Sequence, residues 1–461
     1  MLYCHIVKMR IGLFSDTYRP TINGITYVVD TLKQELEAQG HEVYVFCPAR
    51  SLRPSKQTVE LDFEDDHIVR FPSFSSGFFD DFDFTLFYPP RILRQIEEMD
   101  FDIIHIFTPS QVGLLGINAA VKHDTPLVVQ HCTDLYEFSE NYPQVLPGAL
   151  ALVGIVFPMS VKLAGRDIKE IIKLHRPRRR VTRWNQDIIS RAITILYSKA
   201  DAVIALSRKS YKQLRSWQGR DYPYEITLLP NGVDAIAAPS EQQLQDFRNQ
   251  WGLAKKDEIY GFVGRLGQEK NLEVLIRAFD RIVRERPNAK LLFVGDFEYR
   301  KVLEKIAAQT KHPERIVFTG FMPREQLGVA YAALDVFVFP SLKDTQGWVL
   351  HEAAHAGLPI VLIDRELSEV MIDGENGYFA RNNATDIARK VVDLLRSPAK
   401  RERFGMRSRE LAKVYTQRKQ TRKISQLYQK VIDCYETRDR ITTRDRFTKA
   451  VRRFADRLRS K

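Results

Sequence analysis

Short, almost wholly apolar runs recur along this chain, and stretches with helical periodicity separate them. Arg10–Phe14, Glu42–Cys47, Ile103–Ile106, Leu127–Gln130, Ala202–Ala205 and Ile226–Leu229 make a first series. Ile259–Val263, Lys290–Val294, Ile316–Thr319, Val336–Phe339 and Ile360–Leu362 make a second. A strand with no polar face has no side to turn to water, so it must be covered on both faces, as in parallel sheets with crossover helices. The intervening NLEVLIRAFDRIVRER sets Leu272, Leu275, Ile276, Phe279, Ile282 and Val283 on one helical face. Two such series predict an α/β chain with two doubly wound, Rossmann-like domains facing across a cleft. At 461 residues, both domains can hold a sizeable core. The break GVDAIAAPSEQQ (Gly232–Gln243) marks the linker. The expected divisions are 1–238, 239–415, a helix over 416–437 packing back on the first domain, and a tail over 438–461.

Composition narrows the setting. Cys4, Cys47, Cys132 and Cys434 lie far apart with no C-x-x-C pair, which argues against a disulfide framework or a cysteine zinc site. The opening MLYCHIVK is too short for a signal-peptide core and ends in a charge, so a cytoplasmic protein starting at Met1 or Met9 is expected. The net charge of +12 is concentrated in two places. Residues 162–183 carry nine Lys or Arg against Asp167 and Glu170, and residues 438–461 carry ten against Asp439, Asp445 and Asp456. Each patch is therefore +7, and the rest of the chain sits near −2. Basicity confined to patches points to an anionic surface as partner.

In open α/β sheets ligands bind beyond the carboxyl ends of the strands, so motifs that follow strands are the candidates. In GFVGRLGQEKN the glycines fall at 261, 264 and 267, which is not the G-x-G-x-x-G of a nicotinamide dinucleotide site. Its Arg265 and Lys270, both expected to face solvent near a helix start, suit a diphosphate. A merely solvated Arg and Lys fit the same pattern. Gly24, after Asn23 in SDTYRPTINGITYVVDTL, either serves an ordinary turn or lets backbone approach a ligand. His131 stands at the exit of a buried strand, expected to point into the cleft; a structural histidine also fits, and no second histidine is spaced with it for zinc.

Asp344 and Glu352 flank an apolar stretch in SLKDTQGWVLHEAAHAGLPIV, the first in a loop and the second inside a helix that starts near Gln346–Trp348. Paired carboxylates perform acid–base chemistry in glycoside hydrolases, where they flank the scissile bond. Here both come from one loop–helix unit, beside cations suited to a diphosphate. A carboxylate also accepts hydrogen bonds from neighbouring hydroxyls. The pair therefore reads as hydroxyl clamps that position a sugar nucleotide.

These motifs carry a resemblance. FSDTYRPTINGI, GRLGQEKN, LPNGVD and the E-x7-E-like DTQGWVLHE resemble those of the retaining GT-B glycosyltransferases of family 4, from Met9 to about Tyr435. The resemblance implies that Arg265 and Lys270 bind the donor diphosphate, that Glu352 holds the ribose hydroxyls, and that Asp344 and Gly347 lie at the donor. It also implies Gly24 near the phosphate, His131 touching the sugar, retention at the anomeric carbon, and no metal or other cofactor. Two departures stand out. Asp344 replaces the commoner Glu, and GDFEYRKVLE lacks the usual G-D-G-x, so the loop after Asp296 is expected to meet the base differently.

HCTDLYEFSENYPQVLPGALALVGIVFPMSV is similar to the H-T-x-Y-E-x-Y region of diacylglycerol glucosyltransferases. The resemblance implies glucose transfer from UDP-glucose to a lipid such as diacylglycerol, with a mannosyl- or other hexosyltransferase on a lipid-linked or polysaccharide acceptor as the alternative. Residues Asn141–Val161 are uncharged, but Pro143, Pro147 and Pro158 each cost a helix interior about 3 kcal/mol. An interfacial segment or lipid-tail groove over 141–183 is expected rather than a span; a buried core segment fits the same residues. In the tail, Phe447, Val451, Phe454 and Leu458 recur at helical spacing among basic residues, as in a helix lying on a membrane. A solvated helix, or a non-catalytic nucleic-acid binder, would share this charge pattern, although stacking aromatics beside the patches are few. The expectation is peripheral association with the inner face of the cell membrane and no nucleic-acid partner.

Deleting 438–461 is expected to weaken binding to vesicles containing anionic lipid without abolishing it, because the Lys162–Arg183 patch remains. At about 1 kcal/mol per basic residue near an anionic surface, raising salt should reproduce part of the loss in the intact chain. Co-sedimentation at two salt concentrations measures both.

Overall fold

All the strands of two large sheets run parallel, as the continuous apolar runs require. The computed structural model describes residues 8–21, 23–49, 65–75, 83–84, 90–107, 110–132, 167 and 190–437. The 141–183 segment, apart from Asp167, and the tail lie outside the described residues. The described chain divides into two units. Unit 1 takes the residues up to Ala205, Gln213–Leu229 and 421–437; unit 2 takes Leu206–Lys212 and Pro230–Gln420.

Unit 1 begins with β1 (Arg10–Phe14), β2 (Glu42–Pro48) and β3 (Ile68–Phe71). A small antiparallel pair follows, β4 (Phe74–Ser75) and β5 (Asp83–Phe84). Then come β6 (Ile103–Ile106), β7 (Leu127–His131), β8 (Ala202–Ala205) and β9 (Ile226–Leu228). The large sheet has the order β3-β2-β1-β6-β7-β8-β9. β6, β7 and β8 are buried at every position. Each fully buried Val, Ile, Leu or Phe contributes about 1.5–3 kcal/mol, so these strands hold the unit together.

Unit 2 repeats the plan with β10 (Glu258–Val263), β11 (Ala289–Val294), β12 (Ile316–Phe318), β13 (Val336–Phe339), β14 (Ile360–Leu362) and β15 (Gly377–Phe379). Its order is β12-β11-β10-β13-β14-β15. In both sheets the chain winds outward from a central strand, then returns to the other side of it. The order therefore reverses between β1 and β6 in unit 1, and between β10 and β13 in unit 2. Phe262 stacks with Phe337 and Phe339 across the second reversal, with ring centroids 6.4 and 5.8 Å apart. The helix Glu273–Glu285 covers this sheet with Leu275, Ile276, Phe279, Ile282 and Val283, the face expected from periodicity.

Two strands of the large sheets, and the small β4–β5 pair, have no counterpart among the apolar runs. β3 is an edge strand with alternating half-buried positions, and β15 is a three-residue edge strand led by glycine. Gly377 is forced there, because a Cβ would lie 1.9 Å from the Ile360 carbonyl oxygen. The linker also needs correction. The boundary falls at Pro230, not at 238, because Gly232 packs on the Gln417 backbone and the Val233 amide donates to Tyr415 O at 2.8 Å. Residues 232–233 are thus packed structure.

The helix over 417–437 carries the chain back into unit 1. Its Tyr428 hydroxyl lies 2.6 Å from Nδ1 of His105 in β6, and Ser425 Oγ donates to Gln39 Oε1 at 2.8 Å. Burial pushes the His105 pKa down to about 3, so the ring is neutral. Asp167, counted above with the first basic patch, is fully buried; its carboxylate meets Lys199 Nζ and the Tyr222 hydroxyl, each at 2.9 Å. Tyr428→Phe should strand a buried ring nitrogen and destabilise the protein by about 1–3 kcal/mol, read as a lower urea midpoint.

Candidate active site

Ligands of doubly wound sheets sit where the strand order reverses, beyond the carboxyl ends. In unit 2 the loops at that point are those after β10 and β13, which carry GRLGQEKN and SLKDTQGW. The backbone turns sharply out of β10 at Gly264 (φ 138°), and the segment Gln268–Lys270 forms a single 3-10 turn. The two loops are stitched together. Lys270 Nζ donates to Asp344 Oδ1 at 2.6 Å, Asn271 Nδ2 to Pro340 O at 3.1 Å, and Ser341 Oγ to Glu269 O at 3.4 Å.

Lys270 departs from expectation: its side chain is 14% exposed and ion-paired, not solvent-facing. Burial is the largest influence and favours the neutral form of Asp344, but Lys270, Ser341 and Lys209 together hold the carboxyl below its usual range. The second oxygen, Oδ2, is buried and finds no hydrogen-bond partner among the described residues. Arg265 remains 40% exposed. Its guanidinium donates to Glu269 Oε1 at 2.9 Å and lies over the Phe297 ring at 4.4 Å. Phe297 belongs to the G-D-F-E loop that breaks the family pattern, so that departure supplies a ring under the arginine.

Gly347 opens the helix Trp348–Ala356 in a left-handed conformation (φ 68°, ψ 62°). A Cβ there would stand 2.9 Å from Leu350 Cδ1. Just before it, Gln346 exchanges two hydrogen bonds with the Asn231 backbone, at 2.9 and 3.1 Å, which ties the LPNGVD motif to this loop. Glu352 lies one turn into the helix, 4% exposed. Arg324 Nη1 donates to one of its oxygens and the Tyr331 hydroxyl to the other, at 2.7 Å. A carboxylate has about four lone-pair sites, so each oxygen keeps acceptor capacity for a ligand hydroxyl.

The same helix reads H-E-x-x-H from His351 to His355, a spacing that binds zinc when both rings share a face with open nitrogens. Here the His351 ring packs edge-on against Tyr415, and His355 Nε2 bonds Val233 O at 2.8 Å. Glu352 faces Arg324 and Tyr331 instead of water. Among the described residues no three His, Cys, Asp or Glu side chains form a metal-binding group.

Arg265, Lys270, Asp344, Gly347 and Glu352 thus come together in unit 2. Gly24 and His131 are in unit 1. Gly24 is the exposed first residue of the helix Gly24–Ala38, and nothing lies within 4 Å of where its Cβ would be. The fold itself does not demand glycine there. His131, the last residue of β7, is only 1% exposed, an interior position where a cleft-facing ring was expected. Its Nδ1 lies 2.9 Å from the Tyr197 hydroxyl, and its ring meets Trp217 edge-on. Residues that sequence reasoning passed over are Phe297, Arg324, Tyr331, Gln346 and Lys209. Lys209 and Phe297 lie within four residues of the ends of β8 and β11, and that strand-end position was the available signal.

Two family models match the chain. Residues 22–236 match the description Glycosyltransferase Family 4, and residues 244–411 match Glycosyl transferases group 1. The chain belongs to glycosyltransferase family 4. This glycosyltransferase is similar to the alpha-monoglucosyldiacylglycerol synthase of Acholeplasma laidlawii, 27% identical over 402 residues, 85% of this chain and 89% of that protein. It is also similar to the GDP-mannose-dependent alpha-mannosyltransferase of Mycolicibacterium smegmatis, 26% identical over 363 residues, 77% of this chain and 80% of that protein. Among solved structures, HepE of Anabaena in complex with UDP superposes with a TM-score of 0.64 at 17% identity, covering 92% of this chain and all of that one. Sucrose-phosphate synthase of Thermosynechococcus elongatus gives 0.63 at 18% identity, covering 93% of this chain and all of that one. At such identities the shared feature is the GT-B fold.

Gly347→Ala should destabilise unit 2 by about 1–2 kcal/mol, the cost of a left-handed non-glycine residue, with further strain from the Leu350 contact. It should also weaken nucleotide binding, because the helix start moves. Thermal denaturation with and without UDP measures the two effects.

Proposed function

We propose that this glycosyltransferase moves a hexose, glucose in the first reading, from a nucleotide sugar to a membrane lipid such as diacylglycerol. The observation that carries the reading is the pairing of cations with carboxylates at the unit 2 reversal point. Arg265 and Lys270 suit a diphosphate, Asp344 a sugar hydroxyl, and Glu352 a ribose. The names of two relatives, the glucosyldiacylglycerol synthases of Acholeplasma laidlawii and Streptococcus pneumoniae, support glucose and a diacylglycerol acceptor. The mannosyltransferase relatives support a second reading, mannose from GDP-mannose.

In the proposed mechanism the bond from the anomeric carbon to the diphosphate oxygen breaks as Arg265 and Lys270 take up the developing charge. Preorganised cations in a water-poor site supply much of the rate in such steps. The acceptor hydroxyl attacks from the same face, its oxygen bonds the anomeric carbon, and its proton passes to the departing diphosphate. The configuration is then retained, and neither a metal nor a protein nucleophile is called for. In this reading unit 1 serves the acceptor. Gly24 near the phosphate and His131 at the sugar rest on the family resemblance. Peripheral attachment to the inner membrane face rests on the two basic patches. No helix among the described residues is long and apolar enough to cross a membrane.

Incubation with a panel of nucleotide sugars and total lipid, with NMR of the product's anomeric proton, tests donor, acceptor and stereochemistry together. Arg265→Ala should lower turnover by about two to three orders of magnitude with the fold intact. Lys270→Ala should do the same but also destabilise the protein, since it leaves the Asp344 carboxylate without its partner. Activity should persist in excess EDTA. Near wild-type turnover in both variants would overturn the diphosphate assignment.

A further inference from the structure

The segment Leu206–Lys212 follows β8 in the chain yet belongs to unit 2. Its contacts go to the loops beyond β13 and β14. The Lys209 ammonium donates to Leu342 O at 2.5 Å and stands 3.7 Å from Asp364 Oδ2. The Lys209 amide donates to Glu366 O at 3.0 Å, and Ser210 Oγ donates to Thr345 O at 3.3 Å. Leu342 and Thr345 bracket Asp344. Two neighbouring side chains of this segment thus grip carbonyls on either side of the carboxylate that meets Lys270.

We propose that Lys209 is a positioning residue for Asp344, holding the loop over 341–345 so that the carboxylate is presented to the donor sugar. The proposal rests on the reading of unit 2 as the donor site. Three features support it. The Lys209 side chain is only 18% exposed, and so is held by its surroundings. A lysine is long enough to reach a carbonyl two residues before Asp344 while its charge stays close to the carboxylate. The loop is tied to other segments: besides Lys209 and Ser210, Ser341 Oγ donates to Glu269 O at 3.4 Å and Lys270 pairs with Asp344. Lys209 and Ser210 take hold of it at the Leu342 and Thr345 carbonyls, one on each side of Asp344.

The electrostatics add a distinguishing signature. The groups facing Asp344 are Lys270 from the loop after β10, Ser341 from its own loop and Lys209 from this segment. Asp364, from the loop after β14, faces Lys209. Burial works to raise the Asp344 pKa; Lys270 most of all, then Ser341 and Lys209, bring it below its usual range. Removing the Lys209 charge therefore raises that pKa, and the acid limb of the rate profile moves to higher pH.

The test compares wild type with Lys209→Met, which keeps the stem and loses the charge, and with Lys209→Arg, which restores a cation. Ser210→Ala serves as a milder second variant should Lys209→Met fold poorly. The expected result for Lys209→Met is a fall in kcat of about tenfold to a hundredfold, in line with a small misplacement of a reacting group. UDP binding should be little changed, because Arg265 and Lys270 remain. The acid limb should shift upward, Lys209→Arg should recover part of the rate, and hydrogen exchange at amides 341–347 should quicken in Lys209→Met and Ser210→Ala. A Lys209→Met enzyme with wild-type kcat, acid limb and loop exchange overturns the proposal. A loss of rate with an unmoved acid limb and unchanged exchange does so too. An inactive wild-type enzyme would instead overturn the transferase reading, and loop exchange would still decide whether Lys209 holds the loop.

Discussion

Burial of parallel strands on both faces is the constraint from which the rest of this molecule follows. Strands such as β7 and β8 have no residue that can face water, so helices must cover each side of the sheet. The crossovers that supply those helices run in one hand, and winding them outward from β1 and from β10 creates a reversal point in each sheet. At a reversal point adjacent loops diverge and leave backbone amides and loop side chains around an open space. Unit 2 fills the margin of that space with Arg265, Lys270, Asp344 and the start of the helix Trp348–Ala356.

The margin is built from opposite charges held close together. Lys270 and Asp344 are 2.6 Å apart and both mostly buried, so neither is solvated as it would be in water. Such pairs add little net stability, because desolvation offsets attraction, but losing one member is costly. In the proposed reading the arrangement is prepared for a ligand that brings its own charge and hydroxyls. A diphosphate can share Lys270, and a sugar hydroxyl can donate to Asp344 Oδ2, the buried oxygen that the described residues leave unbonded. Glu352 is prepared differently. Arg324 and Tyr331 orient its carboxylate, and Tyr331 is itself fully buried, its hydroxyl pKa pushed up by that burial.

Much of this was legible in the chain because the relevant signals are local. Apolar runs give strands, strand ends give candidate loops, and Gly347 before a helical stretch gives a helix start. Arg265, Lys270, Asp344 and Glu352 could be named from those signals. β3 and β15 could not, since edge strands are short and half exposed and carry no continuous apolar run. Nor could the interior placement of His131. A histidine at a strand exit looks the same in sequence whether Tyr197 and Trp217 surround it or not.

The class of fold, the repeated sheet plan and the residue types available at each strand end can be read along the chain, because backbone periodicity and burial act over a few neighbouring residues. Tertiary structure alone decided the pairings. Lys270 meets Asp344 across 74 positions, Arg265 rests on Phe297 from the next loop, and Lys209 reaches Leu342 across 133. These contacts depend on which strands become neighbours in the sheet. That order is set by packing all the helices over both faces at once, which no local stretch of residues encodes.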